Sequence, residues 1–291
     1  MSTVLVTGAT GFTGSTVVPL LVGHGHRVRC FVRPGSDRGY LPSAGVEWAV
    51  GDLGDLDSLL SAMTGAEILI NVASLGFGHA PTIVKAAQAA RIGRAVFVST
   101  TAVVTTLNAR SKEIRLAAER LILESGIPST VLRPTMIYGS PRDRNISRLI
   151  RFLRVSPVIP VFGNGHHQQQ PVHVADVAAA IVSSVATALT MDRIYSIAGA
   201  APLTYDQVIE TVASCLGKRV IKVHVPARLV VSGLTGIESI GLRLPIRSEQ
   251  VRRLEEDKVF DTSPAARDFG FAPKSFTEGV RLEIEEMRRH A

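Results

Sequence analysis

The 291-residue chain has two cysteines, one tryptophan and four tyrosines, and these scarcities exclude whole classes of chemistry. Cys30 lies in an apolar strand pattern and Cys215 in a helical one, so neither a disulfide framework nor a thiolate metal set can be built. His166, His167 and His173 have no carboxylate or cysteine at useful ligand spacing, and no metal is expected. No run approaches the roughly 20 apolar residues that a membrane span needs. No basic segment followed by a long apolar core opens the chain, which argues against a cleaved export signal and makes the cytoplasm the expected location. Internal repeats are missing, and the only low-complexity tract is the short polar run from His166 to Gln170.

What is present is apolar bulk and positive charge. At 46% apolar residues, the chain can bury an enzyme-sized core as one large α/β domain or as a domain with a smaller appendage. The net charge of +7 is spread along the chain rather than gathered in a tail, which suits a phosphorylated small molecule better than nucleic acid. One local concentration is Arg142, Arg144, Arg148, Arg151 and Arg154, with 144, 148 and 151 on one helical face. It reads as a solvated helix surface, with a phosphate grip in a substrate cleft as the alternative.

Residues 7–14 read Thr7-Gly8-Ala9-Thr10-Gly11-Phe12-Thr13-Gly14, between the apolar run Val4, Leu5, Val6 and a helix-like stretch from Ser15 to Val22. A strand, a glycine turn and a helix in that order form a dinucleotide cradle. Gly8 permits the tight turn, Gly11 lets backbone approach a pyrophosphate, and Gly14 lets helix and strand pack closely. The phosphates then meet the amides and positive end of the helix.

Apolar strand candidates follow at 3–6, 27–32, 46–50, 67–73, 95–99 and 129–132, with helical patterns between most of them. The alternation predicts a doubly wound parallel α/β sheet covered on both faces. After about residue 138 the chain turns to Pro- and Gly-rich loops, then to helices near 176–188, 204–216, 246–255 and 276–289. The expected division is a cofactor-binding core over 1–138 and a mostly substrate-binding lobe over 139–291, with some segments returning to the core. Asp176 reads as the N-cap of its helix, and the apolar stretch from Leu229 to Leu242 as a segment buried against the body.

Further motifs accompany the glycine turn: Gly51-Asp52-Leu53, Asn71-Val72-Ala73-Ser74, Ser99-Thr100-Thr101, Leu132-Arg133-Pro134-Thr135-Met136-Ile137-Tyr138-Gly139, Gln170-Pro171-Val172-His173-Val174-Ala175-Asp176 and Gly270-Phe271-Ala272-Pro273. In this order, over nearly the whole length, the chain resembles the short-chain dehydrogenase/reductase superfamily. The likeness is to its extended or atypical branch, near the nucleotide-sugar epimerases and dehydratases. The resemblance implies a Rossmann fold and an NAD(P) cofactor held by residues 7–14, by Asp52 and Leu53 at the adenine, and by Asn71, Ala73, Ser99 and Pro134 along the cleft. It also implies pairing of helices near 80–91 and 107–125 as the route to any homodimer. The alternative reading makes Asp52 a turn or cap residue before the helix at 55 and Asn71 a strand-end hydrogen-bonding residue.

In such folds the end of the second strand faces the adenosine ribose, where a carboxylate favours NAD and an arginine NADP. Here that strand ends Phe31-Val32-Arg33-Pro34, with Asp37 and Arg38 further on. Arg33 therefore points to NADP, with NAD the alternative if Asp37 folds back.

The largest departure is in the catalytic set that the resemblance implies: a hydroxyl after the fifth strand, a tyrosine, and a lysine four residues later. Thr101 supplies the hydroxyl. Anchored on Ala118-Glu119, the tyrosine position falls on Ser111 and the lysine position on Arg115; anchored on Lys112, the tyrosine position falls on Asn108; the only tyrosines are 40, 138, 195 and 205. A serine is a far weaker acid than a phenol, and Arg115 can hold phosphate or ribose oxygens but cannot exchange a proton. Tyr138, by its position after the sixth strand, is the candidate substitute acid, with a packed or substrate-contacting aromatic as the other reading. His79, Arg142 and Arg144 are further substrate-binding candidates. Three functions follow: an atypical NADP-dependent oxidoreductase on a small metabolite, a non-catalytic NAD(P)-binding sensor or assembly protein, and an epimerase or dehydratase relative.

Overall fold

The structure, a computed structural model, describes residues 1–42, 44–105, 110–228, 231 and 256–289. Asn108, the expected helix at 246–255 and nearly all of the stretch 229–242 lie outside the described residues. Two compact units emerge: Met1–Thr135 with Val174–Ile197 and Asp261–Ala272, and Met136–His173 with Ala198–Phe260 and Pro273–Ala291.

The first unit is a seven-stranded parallel sheet. Its strands are β1 (Thr3–Thr7), β2 (Arg27–Val32), β3 (Val46–Val50), β4 (Ile68–Asn71), β5 (Arg94–Val98), β6 (Ser129–Pro134) and β7 (Arg193–Ile197), in the order β7-β6-β5-β4-β1-β2-β3. Continuous apolar runs such as Val4-Leu5-Val6, wholly buried, suit strands covered on both faces. One face carries α1 (Gly14–Gly23) and α6 (Val174–Ala186), the other α2 (Leu56–Met63), α3 (Ala80–Ala89) and α4 (Arg110–Leu123). The latter face is filled by Leu5, Phe31, Leu69, Phe97, Ile83 and Ile122. The strand order reverses between β1 and β4, so the loops leaving these two strands part and open a crevice at their carboxyl ends.

Two readings need correction. The sheet has a seventh strand, β7, that no apolar run announced, because it is an edge strand with Arg193 and Ile194 exposed. The helix after His173 starts at Val174, so Asp176 stands inside its first turn and is not its N-cap.

The second unit contains α5 (Ile146–Val155), α7 (Tyr205–Cys215) and α9 (Phe276–Arg289), with α8 (Ser263–Phe269) belonging to the first unit. Ile137–Tyr138 pairs with Val172–His173, Gln168–Gln169 with Leu203–Thr204, and Val158–Phe162 with Ile221–Val225. Tyr138, Ile150, Val161, Val212, Phe276 and Ile284 form its core.

Within this core Glu283 of α9 is fully buried beside Asp143. Burial, reinforced by Asp143, pushes its carboxyl up to about 10. The folded protein thus keeps a proton that the unfolded chain releases above its ordinary value of 4.5. The stability this proton contributes is whole below that value and declines as pH rises towards the folded one. Glu283→Gln should therefore flatten the decline, gaining about 1–3 kcal/mol over the parent at pH 8–9 relative to pH 5. Urea unfolding at several pH values measures this, and parallel curves for both proteins would contradict it.

Candidate active site

The cradle is built where β1 passes into α1. Gly8 has φ +68°, and a Cβ there would lie 2.7 Å from the amide nitrogen of Ala73. At Gly14 a Cβ would lie 2.1 Å from the Gly8 carbonyl oxygen and 2.8 Å from the Ala9 Cα. Only a residue without a side chain lets α1 begin this close to the turn. Gly11 donates its amide to the Gly8 carbonyl at 3.0 Å. It is exposed, and the sole neighbour of a Cβ there is the Gly8 oxygen at 3.1 Å. Among the described residues the amides of Phe12 and Thr13 have no hydrogen-bond acceptor, and the first turn of α1 holds no acidic residue. A bare backbone, open donors and an uncompensated helix dipole fit a pyrophosphate.

The opposite wall is β4. The Thr7 hydroxyl donates to the Asn71 side-chain oxygen at 2.7 Å, and the Asn71 amide donates to the Ala73 carbonyl at 2.9 Å. Asn71 is fully buried. Its side chain ties the ends of β1 and β4 together and shapes the crevice through the backbone. Asp52 behaves similarly, its carboxylate accepting the Gly54 amide at 2.7 Å, while the adjacent Leu53 packs against the core. His79 lies against this turn, with its Nδ1 3.6 Å from where a Gly54 Cβ would stand, so it borders Asp52.

At the end of β2, Arg33 is exposed. Its two charged neighbours are engaged elsewhere: Asp37 accepts the Gly39 amide at 2.9 Å, and the Arg38 guanidinium stacks 4.7 Å from the centroid of Trp48 on β3.

Beyond β5, Thr101 is buried and donates to the Pro134 carbonyl at 3.3 Å. Ser111 and Arg115 occupy successive turns of α4, where Arg115 Nη1 donates to the Ser111 carbonyl at 3.3 Å. The Arg115 guanidinium lies over Gly76, 2.8 Å from where a Cβ would be. Glu119, the next residue on the same helical stripe, is buried and was missed in the sequence. It accepts the Ser99 hydroxyl and is clasped by the Arg133 guanidinium, with Nε at 3.1 and 3.2 Å from its two oxygens. The available signals were the i, i+4, i+8 spacing of 111, 115 and 119 and an arginine inside the apolar run of β6.

Tyr138 and Tyr195 are buried and Tyr205 is half-buried, while Tyr40 is 55% exposed. Tyr138 is 1% exposed, its ring packed edgewise on His173 and Phe276 and its hydroxyl 3.4 Å from the Phe276 carbonyl. Such a core side chain offers no open side to a substrate, which removes it as the substitute acid. Tyr195 donates to Asp268 at 2.7 Å, and burial pushes its phenol up to about 12. Burial also raises Tyr205. The arginine cluster divides: Arg144 precedes α5 rather than lying on it, Arg148 and Arg151 are exposed, and Arg142 is half-buried. Asp143 organises that loop by accepting the amides of Asn145 and Ser147 at 2.7 and 3.1 Å.

Cys30 is buried and its thiol is pushed up to about 12 by burial, so it is unreactive. Among the described residues there is no group of three or more potential metal ligands, and no helix is long and apolar enough to cross a membrane.

The profile of a family described as NAD(P)H-binding matches residues 8–188. The chain is 32% identical over 195 residues to a ceramide reductase of Caulobacter vibrioides, covering 62% of this chain and 60% of that protein. It is 28% identical over 223 residues to NADH dehydrogenase [ubiquinone] 1 alpha subcomplex subunit 9 of Dictyostelium discoideum, covering 71% and 62%. The chain thus spans less than two thirds of the length of these two relatives. Among solved structures, the UDP-glucose 4-epimerase of Thermotoga maritima shares the fold, with TM-score 0.79 and 19% identity over 99% of each chain.

Proposed function

The chain belongs to the NAD(P)H-binding family, and from that premise we propose that it is an atypical oxidoreductase that uses NADP(H) on a carbonyl or hydroxyl group of a small metabolite. The observation that carries the cofactor choice is the end of β2, where Arg33 is exposed and the one nearby carboxylate, Asp37, is tied to the Gly39 amide. An arginine there would complement a ribose 2′-phosphate. The amides of Phe12 and Thr13 would hold the pyrophosphate, and Arg115 the ribose oxygens.

The cofactor, when bound, supplies hydride exchange. The protein's own part is to bind, orient and exclude water. Ser111, and Thr101 by giving up its bond to the Pro134 carbonyl, would orient an oxygen, but neither replaces a phenol, and an arginine at 115 cannot exchange a proton. Positioned proton transfer is worth about 10²- to 10⁴-fold, so carbonyls activated by their own substituents are the expected substrates.

Arg33→Ala should weaken NADPH binding by about 1–3 kcal/mol and leave NADH nearly unchanged. Fluorescence titration with both nucleotides tests this; equal losses would remove Arg33 from the phosphate.

A second reading is supported by the enclosure of Tyr138, together with the resemblance that puts Ser111 at the tyrosine position. On that reading the protein binds NADP(H) without chemistry, as a sensor or assembly protein, and one relative is named as a subunit of a larger dehydrogenase. Tight NADPH binding with no turnover across activated ketones, enones and aldehydes would select it.

A further inference from the structure

We propose that the second unit docks on an anionic phospholipid bilayer through the outer face of its parallel ribbon, the strands Val158–Phe162 and Ile221–Val225. The pairing sets Ile221 beside Val158, Val223 beside Pro160 and Val225 beside Phe162. Side chains alternate between the two faces of a strand, and paired residues share a face, so these six stand together on strands about 4.8 Å apart. Every one of them is apolar. Ile221 is 64% exposed, Val223 46% and Val158 40%; Pro160 is exposed, and Phe162 and Val225 are half-buried. The intervening residues take the other face. There Ile159 and Val161 enter the core, Lys222 pairs with Asp206 at 3.1 Å and with Glu210, and His224 Nε2 lies 3.1 Å from both Asp206 carboxylate oxygens. The ribbon thus directs its charged side chains towards α7 and turns contiguous hydrocarbon to the outside, the mark of a contact surface.

Charge identifies the occupant. At the entry end of the ribbon the Ile221 amide donates to the Pro157 carbonyl at 2.8 Å, and the residues leading into the two strands there include Arg154, Lys218 and Arg219. The Lys218 ammonium donates to the Arg154 carbonyl, which brings the two lead-in segments together, and Lys218 and Arg219 are exposed. Arg228 is exposed just past the exit. The sequence has no acidic residue between Asp143 and Asp176 or between Glu210 and Glu238, so the strands and the segments that lead into them carry no carboxylate. A second copy of the chain would bring the same positive charge to the contact. The headgroups of an anionic bilayer bring the opposite charge, and the boundary beneath them accepts the apolar side chains. Docking of this kind lies on the bilayer and needs no spanning helix.

The test uses the full chain, an Ile221→Thr/Val223→Thr variant that keeps β-branched side chains in the strand, and a Lys218→Gln/Arg219→Gln variant. Co-sedimentation is measured with vesicles of phosphatidylcholine alone and of phosphatidylcholine mixed with phosphatidylglycerol. The parent should sediment with the anionic vesicles, little with the neutral ones, and less as salt is added. Each variant should lower partitioning roughly tenfold, with NADPH affinity and melting temperature retained. A parent that does not bind anionic vesicles, or a variant of either kind that binds them as the parent does, would overturn the proposal. So would a parental dimer, seen by analytical ultracentrifugation, that ignores vesicles and that Ile221→Thr/Val223→Thr splits, in favour of a subunit contact. A parent that ignores vesicles and loses thermal stability on the same substitutions would overturn it in favour of packing against another part of this chain.

Discussion

Gly14→Ala is expected to abolish dinucleotide binding and to destabilise the first unit by about 3 kcal/mol. The added carbon would stand 2.1 Å from the Gly8 carbonyl and 2.8 Å from the Ala9 Cα. Both are backbone atoms of the tight turn, so no side chain can swing aside, and the only relief is for α1 to withdraw from β1. Withdrawal would pull the amides of Phe12 and Thr13 out of the crevice and part Val17, Val18 and Leu21 from the sheet, all of them buried. The contrast is Gly23→Ala at the other end of the same helix, where a Cβ meets nothing within 4 Å. That variant should bind NADPH as the parent does. Thermal unfolding and nucleotide titration of the pair check both expectations, and a Gly14→Ala protein with parental affinity would refute the close-packing argument.

Glu119→Leu should cost about 3 kcal/mol, since it leaves the Arg133 guanidinium without its carboxylate in a site only 20% exposed and strips Ser99 of its acceptor. Arg133→Met should cost a similar amount by leaving Glu119, 3% exposed, as an isolated buried charge. The double variant should recover most of either loss, because two apolar side chains of similar volume do not need each other's charge. A double-mutant cycle by urea unfolding measures the coupling. Strict additivity would mean that the clasp between α4 and β6 contributes nothing.

The sheet was legible because a strand covered on both faces is largely apolar, as in Val4-Leu5-Val6 of β1 and Ile68-Leu69-Ile70 of β4, all buried. The cradle was legible for a different reason: its requirement for glycine is local, decided by atoms within a few residues of one another. Contacts between distant elements were not legible. Glu119, Ser99 and Arg133 come from α4, β5 and β6, and no local pattern states that they meet. Tyr138 misled because its place after β6 was readable while its neighbours Phe276 and Gly279, on the far C-terminal helix, were not. Asp52 and Asn71 bond through their side chains to nearby backbone and strand ends, the ordinary work of a turn residue and a strand-end residue.

The stacking of Arg38 on Trp48 also gives the protein an optical property. Trp48 is the chain's one tryptophan, and it is fixed on β3 beside β2, the strand that ends at Arg33. Indole emission therefore comes from a single address at one margin of the sheet. A change in its intensity or wavelength reports the cation above it and the strand pair beneath it, without any label and without a background from elsewhere in the molecule.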